Sequence, residues 1–159
     1  MKVQVDLEES TKVISSVEVD VAPDASVGVV ASEAAPKLGI DVEEITADLY
    51  ANGKRLGPGT LVSDYSAKGI PLRHRRDCVE LHFESDIVTH HFPVSWTWGR
   101  VHLWACKRFD VPHDACANLE LREGSSTGPA LNEGAELGVF TGCKGVWLVK
   151  PGPEPNGGR

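Results

Sequence analysis

The chain has 159 residues, 41% of them hydrophobic and 25% charged, and a formal net charge of −7. That is room for one medium domain or two small ones of ordinary globular composition. The acidic balance argues against nucleic acid as a partner, because phosphate binding needs a basic face, and no apolar run approaches the roughly 18 residues that span a bilayer.

The opening stretch alternates from the first residues, with Val3, Val5 and Leu7 apolar between polar neighbours. Period two marks a half-buried strand and not a signal peptide. Glu8 to Thr11 reads as a turn, and Val13 to Val21 as the second strand of a hairpin. Asp24 and Ser26 are candidate N-caps for a helix over Val27 to Leu38, where Val27, Val30, Ala31, Ala34 and Leu38 fall on one face. A strand over Thr46–Ala51, the turn dipeptide Asn52-Gly53 and a short strand at Lys54–Leu56 follow. Thr60 to Tyr65 is a single helical or irregular turn expected to bury Leu61 and Tyr65. Arg73-His74-Arg75-Arg76 is expected in a solvated loop, and Cys78 to Phe83 as the last strand of this half.

From Thr89 the pattern restarts. His90 to Val94 is a possible strand. Ser95 or Thr97 caps a helix over Trp98–Phe109, and strands are expected near Asn118–Arg122 and Gly145–Lys150. Helix, spacer, strand, irregular turn and strand thus recur in one order, an architectural repeat without a sequence repeat. Only Asp86 to Ser95 is left for an opening hairpin, so an abbreviated one is expected. The adjacent histidines His90 and His91 would point to opposite faces of a strand and cannot easily form one site. Three of the four tryptophans are expected in packing. If Val146 and Leu148 face inward, Trp147 and Val149 lie on the outer sheet face, and with Lys150 they form a candidate partner-docking patch. The competing expectation is that Trp147 packs against the first half.

Cys78, Cys106, Cys116 and Cys143 show no C-x-x-C spacing. They read as reduced, mostly buried thiols of a cytoplasmic protein. Cys106, His113 and Cys116 could suggest a metal site, but zinc takes four ligands, usually with tight paired spacing, so no metal is expected. Nor is there a Ser/His/Asp set, a phosphate loop or a carboxylate pair in helical register, so neither an enzyme nor a cofactor is expected.

The closing residues, Pro151-Gly152-Pro153-Glu154-Pro155-Asn156-Gly157-Gly158-Arg159, carry nothing that packs. Proline favours extended backbone, and glycine leaves no side chain to collide with a narrow cleft.

A hairpin wrapping one helix is the β-grasp arrangement, and particular residues then carry a resemblance. Ala51-Asn52-Gly53-Lys54-Arg55-Leu56 is similar to the AGKQL strand-turn-strand of ubiquitin, and Leu61-Val62-Ser63-Asp64-Tyr65 to its TLSDY turn. The resemblance covers about residues 1–85 and lies in order and spacing more than in identity. The expected fold is α+β. A ubiquitin-like domain over 1–85 and a second over 86–150 are followed by a flexible conjugation tail over 151–159. The whole resembles the interferon-induced two-domain ubiquitin-like modifier of vertebrates and the bacterial two-domain proteins of anti-phage conjugation operons. That resemblance implies Gly158, preceded by Gly157, as the conjugating residue once a JAB-type peptidase removes Arg159. An E1-like adenylating enzyme, an E2-like carrier and target lysines are the implied partners. Glu154-Pro155-Asn156 departs from the Arg-Leu-Arg of ubiquitin, which implies a dedicated E1. A sulfur carrier with a terminal thiocarboxylate and a non-conjugated adaptor remain as alternatives.

Overall fold

The alternation at the start becomes β1 (Lys2–Glu9), which turns at Ser10 and Thr11 into β2 (Lys12–Asp20) and pairs with it antiparallel. This is a computed structural model, and it describes residues 1–45 and 49–151. Val3, Val5 and Leu7 are buried from β1, and Val19 from β2. Helix α1 (Val27–Leu38) starts at Ser26, whose hydroxyl accepts a hydrogen bond from the Val29 N–H. It buries Val30, Ala31, Ala34 and Ala35, small residues that let the helix approach the sheet closely. The chain continues through α2 (Val42–Ile45), β3 (Leu49–Ala51), β4 (Lys54–Leu56) and α3 (Ser63–Ser66) to β5 (Leu72–Phe83). The expected strand over Thr46–Ala51 is seen from Leu49 onward, because residues 46–48 lie outside those described. Strand β5 runs parallel to β1 and antiparallel to β3, which sets the order β2-β1-β5-β3-β4. A hairpin flanking a parallel central strand, with one helix on the sheet, is the β-grasp arrangement within an α+β fold.

The chain divides into two compact units, Met1–Asp77 and Cys78–Arg159. In the second, β6 (Asp86–Pro93) pairs with β5, and α4 (Trp98–Arg108) and α5 (His113–Cys116) lead to β7 (Glu120–Glu123) and β8 (Lys144–Val149). Strand β8 is parallel to β5 and antiparallel to β7, so the order β6-β5-β8-β7 reproduces β2-β1-β5-β3 of the first unit. Val79, Leu81, Phe92, Trp96, Trp98, Val101, Ala105, Leu121, Val146 and Leu148 build its core.

Three expectations are corrected here. Cys78 to Phe83 does not close the first half. Val79 and Leu81 enter the second core, whereas Leu72 enters the first, so the division falls between Asp77 and Cys78 and not at residue 85. The second unit's opening hairpin is therefore full length, built from the end of β5 and the whole of β6. Next, Arg73-His74-Arg75-Arg76 is not a loop but part of β5, with His74 fully buried. The parallel register sets Asp6, Glu8 and Glu9 opposite Arg73, Arg75 and Arg76. Arg73 Nη1 lies 3.2 Å and Arg75 Nε 3.3 Å from the Glu8 carboxylate, and Arg76 Nε lies 2.5 Å from that of Glu9. Neutralisation by a neighbouring strand is what admits three arginines to one sheet strand, and a single-strand charge count cannot see it. Finally, Leu61 is 48% exposed and the adjacent Val62 is buried in its place.

One local device is used twice. Ser26-Val27-Gly28 and Thr97-Trp98-Gly99 each open a helix, with Thr97 accepting from the Arg100 N–H at 3.2 Å. The Gly28 N–H donates to Pro58 O and the Gly99 N–H to Glu133 O, both at 2.9 Å, so a distant loop carbonyl satisfies a helix donor that has no intrahelical partner. A β-carbon on Gly28 would stand 3.2 Å from Pro58 O, and one on Gly99 3.0 Å from Glu133 O.

Two predictions follow from these contacts. Helix propensity alone would have Gly99→Ala stabilise by about 1 kcal/mol, but the pinned carbonyl reverses the sign. Denaturant unfolding should show a loss of about 1 kcal/mol or more, of the size expected for overpacking. Glu8→Ala should lower unfolding free energy by about 1–3 kcal/mol, the range for stripping a partner from a largely buried charge, whereas Glu18→Ala on the exposed rim should be close to neutral.

Candidate docking face of the second unit

Strand β8 positions the candidate patch. Val146 and Leu148 are buried, as the alternation requires, and Trp147 and Val149 are turned to the other face of the sheet. Neither is fully exposed. The Trp147 ring lies flat on the imidazole of His82, its register partner on β5, with centroids 3.9 Å apart and planes 7° apart. On the other side stands Arg122 of β7, whose guanidinium is held by Glu120 and by Gly128 O at 3.0 Å. His82 Nε2 is in turn 2.7 Å from Glu80 Oε1. The far edge of the indole covers Gly145, where a β-carbon would come within 2.9 Å of the ring. Trp147 thus presents one ring within a frame of polar and charged groups, an arrangement suited to a partner with a small apolar surface and a polar rim. The neighbours described for Trp147 are His82, Arg122 and Gly145, all of the second unit.

At the end of β8, Lys150 is exposed and borders a groove of about 500 Å³ lined by Phe83, Phe109, Val111, Pro112, Leu148 and Val149. Phe83 and Phe109 face each other at 5.3 Å. Sequence reasoning placed Val149 and Lys150 beside the tail but missed Phe83 and Phe109. The signal was present in the spacing of Phe109 beyond the last turn of α4 and was read only as packing. Gly157, Gly158 and Arg159 lie outside the described residues. The histidines His90 and His91 do not form one site: His90 stacks on Trp104 at 4.5 Å.

The cysteine expectation is overturned. Cys78 pairs with Cys143 and Cys106 with Cys116, separated in sequence by 65 and 10 residues. Neither separation is a recognisable motif, and β5 and β8 meet only in the folded sheet, so spacing alone could not reveal the first pair. The inference of a reducing compartment thereby loses its premise. Among the described residues no helix is long and apolar enough to cross a membrane.

No family model and no curated protein sequence matches this chain. Solved structures do. The ubiquitin of Caldiarchaeum subterraneum is similar with 13% identity and a TM-score of 0.40, over 48% of this chain and 95% of that one. The C-terminal ubiquitin-like domain of mouse tubulin-specific chaperone e has 17% identity and a TM-score of 0.38, over 52% and 94%. The strand order described above is by itself that of a β-grasp fold.

The geometry around Trp147 predicts a spectroscopic effect. Gly145→Ala should push the indole off His82, and the upfield ring-current shift of the His82 imidazole protons in an NMR spectrum should collapse toward ordinary values. An unchanged shift would contradict the stacking.

Proposed function

We propose that the chain is a ubiquitin-like protein modifier made of two tandem β-grasp domains and conjugated through Gly158. The observation that carries the reading is the course of β8. Inward Val146 and Leu148 anchor it between β5 and β7, and the sequence runs from it directly into a proline-spaced segment with a glycine pair at 157 and 158. Lys150 to Gly158 is eight steps, a reach of at most ~26–29 Å, enough to enter a cleft in an activating enzyme while the sheet stays docked outside.

The chemistry asked of the chain is small. A JAB-type peptidase cleaves after Gly158. An E1-like enzyme activates the freed carboxylate as an acyl-adenylate, with loss of pyrophosphate from ATP, and takes it onto a cysteine as a thioester. An E2-like carrier receives the acyl group and delivers it to a lysine amine of the target. The modifier contributes binding and proximity, and its partners contribute the reacting groups, so it need not be an enzyme itself. Glycines at 157 and 158 keep the backbone slim where those partners close around it. The resemblance to bacterial two-domain proteins supports a role in anti-phage defence.

The framed indole of Trp147 favours a second reading, a ubiquitin-like adaptor that docks a partner by its sheet and is never conjugated. The two separate cleanly. With the peptidase, E1-like and E2-like partners and ATP present, Gly158→Ala and deletion of residues 157–159 should each abolish higher-mass conjugates on a denaturing gel, while Trp147→Ala should slow their formation without removing the tail chemistry. Conjugates that persist in the deletion variant would refute conjugation through this terminus. A binding partner captured equally well by the deletion variant and lost on Trp147→Ala would establish the adaptor.

A further inference from the structure

On the helical side of the second unit three ligand-type groups converge. His102 and Cys106 stand one turn apart on α4, and Cys116 closes α5. All three are buried, and an imidazole nitrogen and the two sulfurs lie within 4.8 Å of one another. The sulfurs are joined in this structure. The imidazole is left in an unusual setting. His102 Nδ1 is 2.7 Å from Glu133 Oε2, and Nε2 is 3.0 Å from the carbonyl of Cys116. Both neighbours are acceptors. With acceptors on both sides, the Glu133 carboxylate can take Nδ1–H and leave Nε2 on the side of Cys116. A carboxylate that fixes one nitrogen and leaves the other facing a ligand position is the outer-shell arrangement of metal-bound histidines.

We propose that, with the Cys106–Cys116 bond reduced, this cluster binds one zinc ion through Cys106 Sγ, Cys116 Sγ and His102 Nε2, with water in the fourth position. Two thiolates, one imidazole and one water are a donor set that zinc takes tetrahedrally. Entry is provided: His102, Cys116 and Glu133 line a cavity of about 550 Å³. The supporting carboxylate is itself placed by the fold, since the Gly99 N–H to Glu133 O bond holds the loop against the start of α4. From the sequence alone Cys106, His113 and Cys116 could suggest a metal site and no metal is expected; the imidazole that the fold brings beside the two sulfurs is that of His102. The productive spacing is His102-x3-Cys106, i and i+4 on one helical face.

The redox balance is simple. A two-electron reductant breaks the S–S bond, and the two sulfurs gain two electrons and two protons: a dithiol supplies both and becomes a disulfide, whereas a phosphine supplies the electrons and is hydrolysed by one water, which gives the two protons and the oxygen of the phosphine oxide. Zinc then displaces both thiol protons. A two-electron oxidant, such as a peroxide, re-forms the disulfide and expels the ion. The site is thus a zinc clip that closes only in the reduced chain, and it is independent of the tail chemistry proposed above.

The test uses the full chain, reduced anaerobically with a phosphine and titrated with Co²⁺ as a spectroscopic probe. The expected result is thiolate-to-cobalt charge-transfer absorption saturating at one equivalent, bleached by one equivalent of Zn²⁺, and absent from the oxidised chain. The Cys78→Ser/Cys143→Ser chain should retain it, and Cys116→Ser should lose it. Glu133→Gln, at a half-exposed position that leaves the core intact, should weaken Zn²⁺ by ~10–100-fold. Absence of charge-transfer bands in the reduced chain, whether or not it stays folded, would overturn the proposal, as would bands that survive Cys116→Ser or binding equal in the oxidised chain.

Discussion

The constraint on which the candidate site depends is the parallel pairing of β8 with β5. It sets Val146 opposite Leu81 and Trp147 opposite His82. Because strand side chains alternate, burying Val146 and Leu148 leaves no freedom over where Trp147 and Val149 point. A one-residue slip would carry the indole into the core and two aliphatic residues to solvent. The cost of that exchange, about 1.5–3 kcal/mol for each aliphatic side chain brought out of the interior, holds the register. The same register brings the end of β8, at Val149, and the following Lys150 beside the Phe83–Phe109 groove. The candidate docking face and the position of that strand end are two consequences of one strand pairing.

The two units solve the same problem with unlike residues. In the first, α1 contributes an alanine-rich face to the core. In the second, Trp96, Trp98 and Phe92 enter the core, and aromatic area takes a share of the packing. What is shared is the way each helix begins: a hydroxyl cap, an apolar residue, then a glycine whose N–H donates to a carbonyl of a loop far along the chain. That contact ties the irregular loop of each unit to its helix, so the loops are held by backbone geometry more than by their own side chains.

Much of this was legible beforehand where local rules decide. Ser26 and Thr97 stood among the candidate caps, beside Asp24 and Ser95, because a hydroxyl or carboxylate precedes an apolar helical period, and alternation tied the outward turn of Trp147 and Val149 to an inward Val146 and Leu148. The failures share one cause, pairing across sequence distance. Arg73 to Arg76 looks like a solvated run until Asp6, Glu8 and Glu9 are laid beside it. Cys78 meets Cys143 only because β5 and the residue before β8 are neighbours in the sheet. The boundary was misplaced because Cys78 to Phe83 reads as a separate strand of the first half, whereas it continues β5, in which the phase of the buried positions changes between Leu72 and Val79. Leu61 and Val62 are both apolar, and only the Val62 N–H to Ala25 O bond decides which of them turns inward.

The central claim is that Gly158 is the reacting residue of this chain. Intact mass spectrometry tests it most directly, following the full-length protein first with a JAB-type peptidase and then with an E1-like enzyme and ATP. The account predicts loss of the mass of one arginine, followed by a thioester adduct on the activating enzyme that hydroxylamine releases as protein ending in a Gly158 hydroxamate. A chain that keeps its mass through both steps, or that reacts through a side chain and leaves the Gly158 carboxylate unmodified, would contradict it.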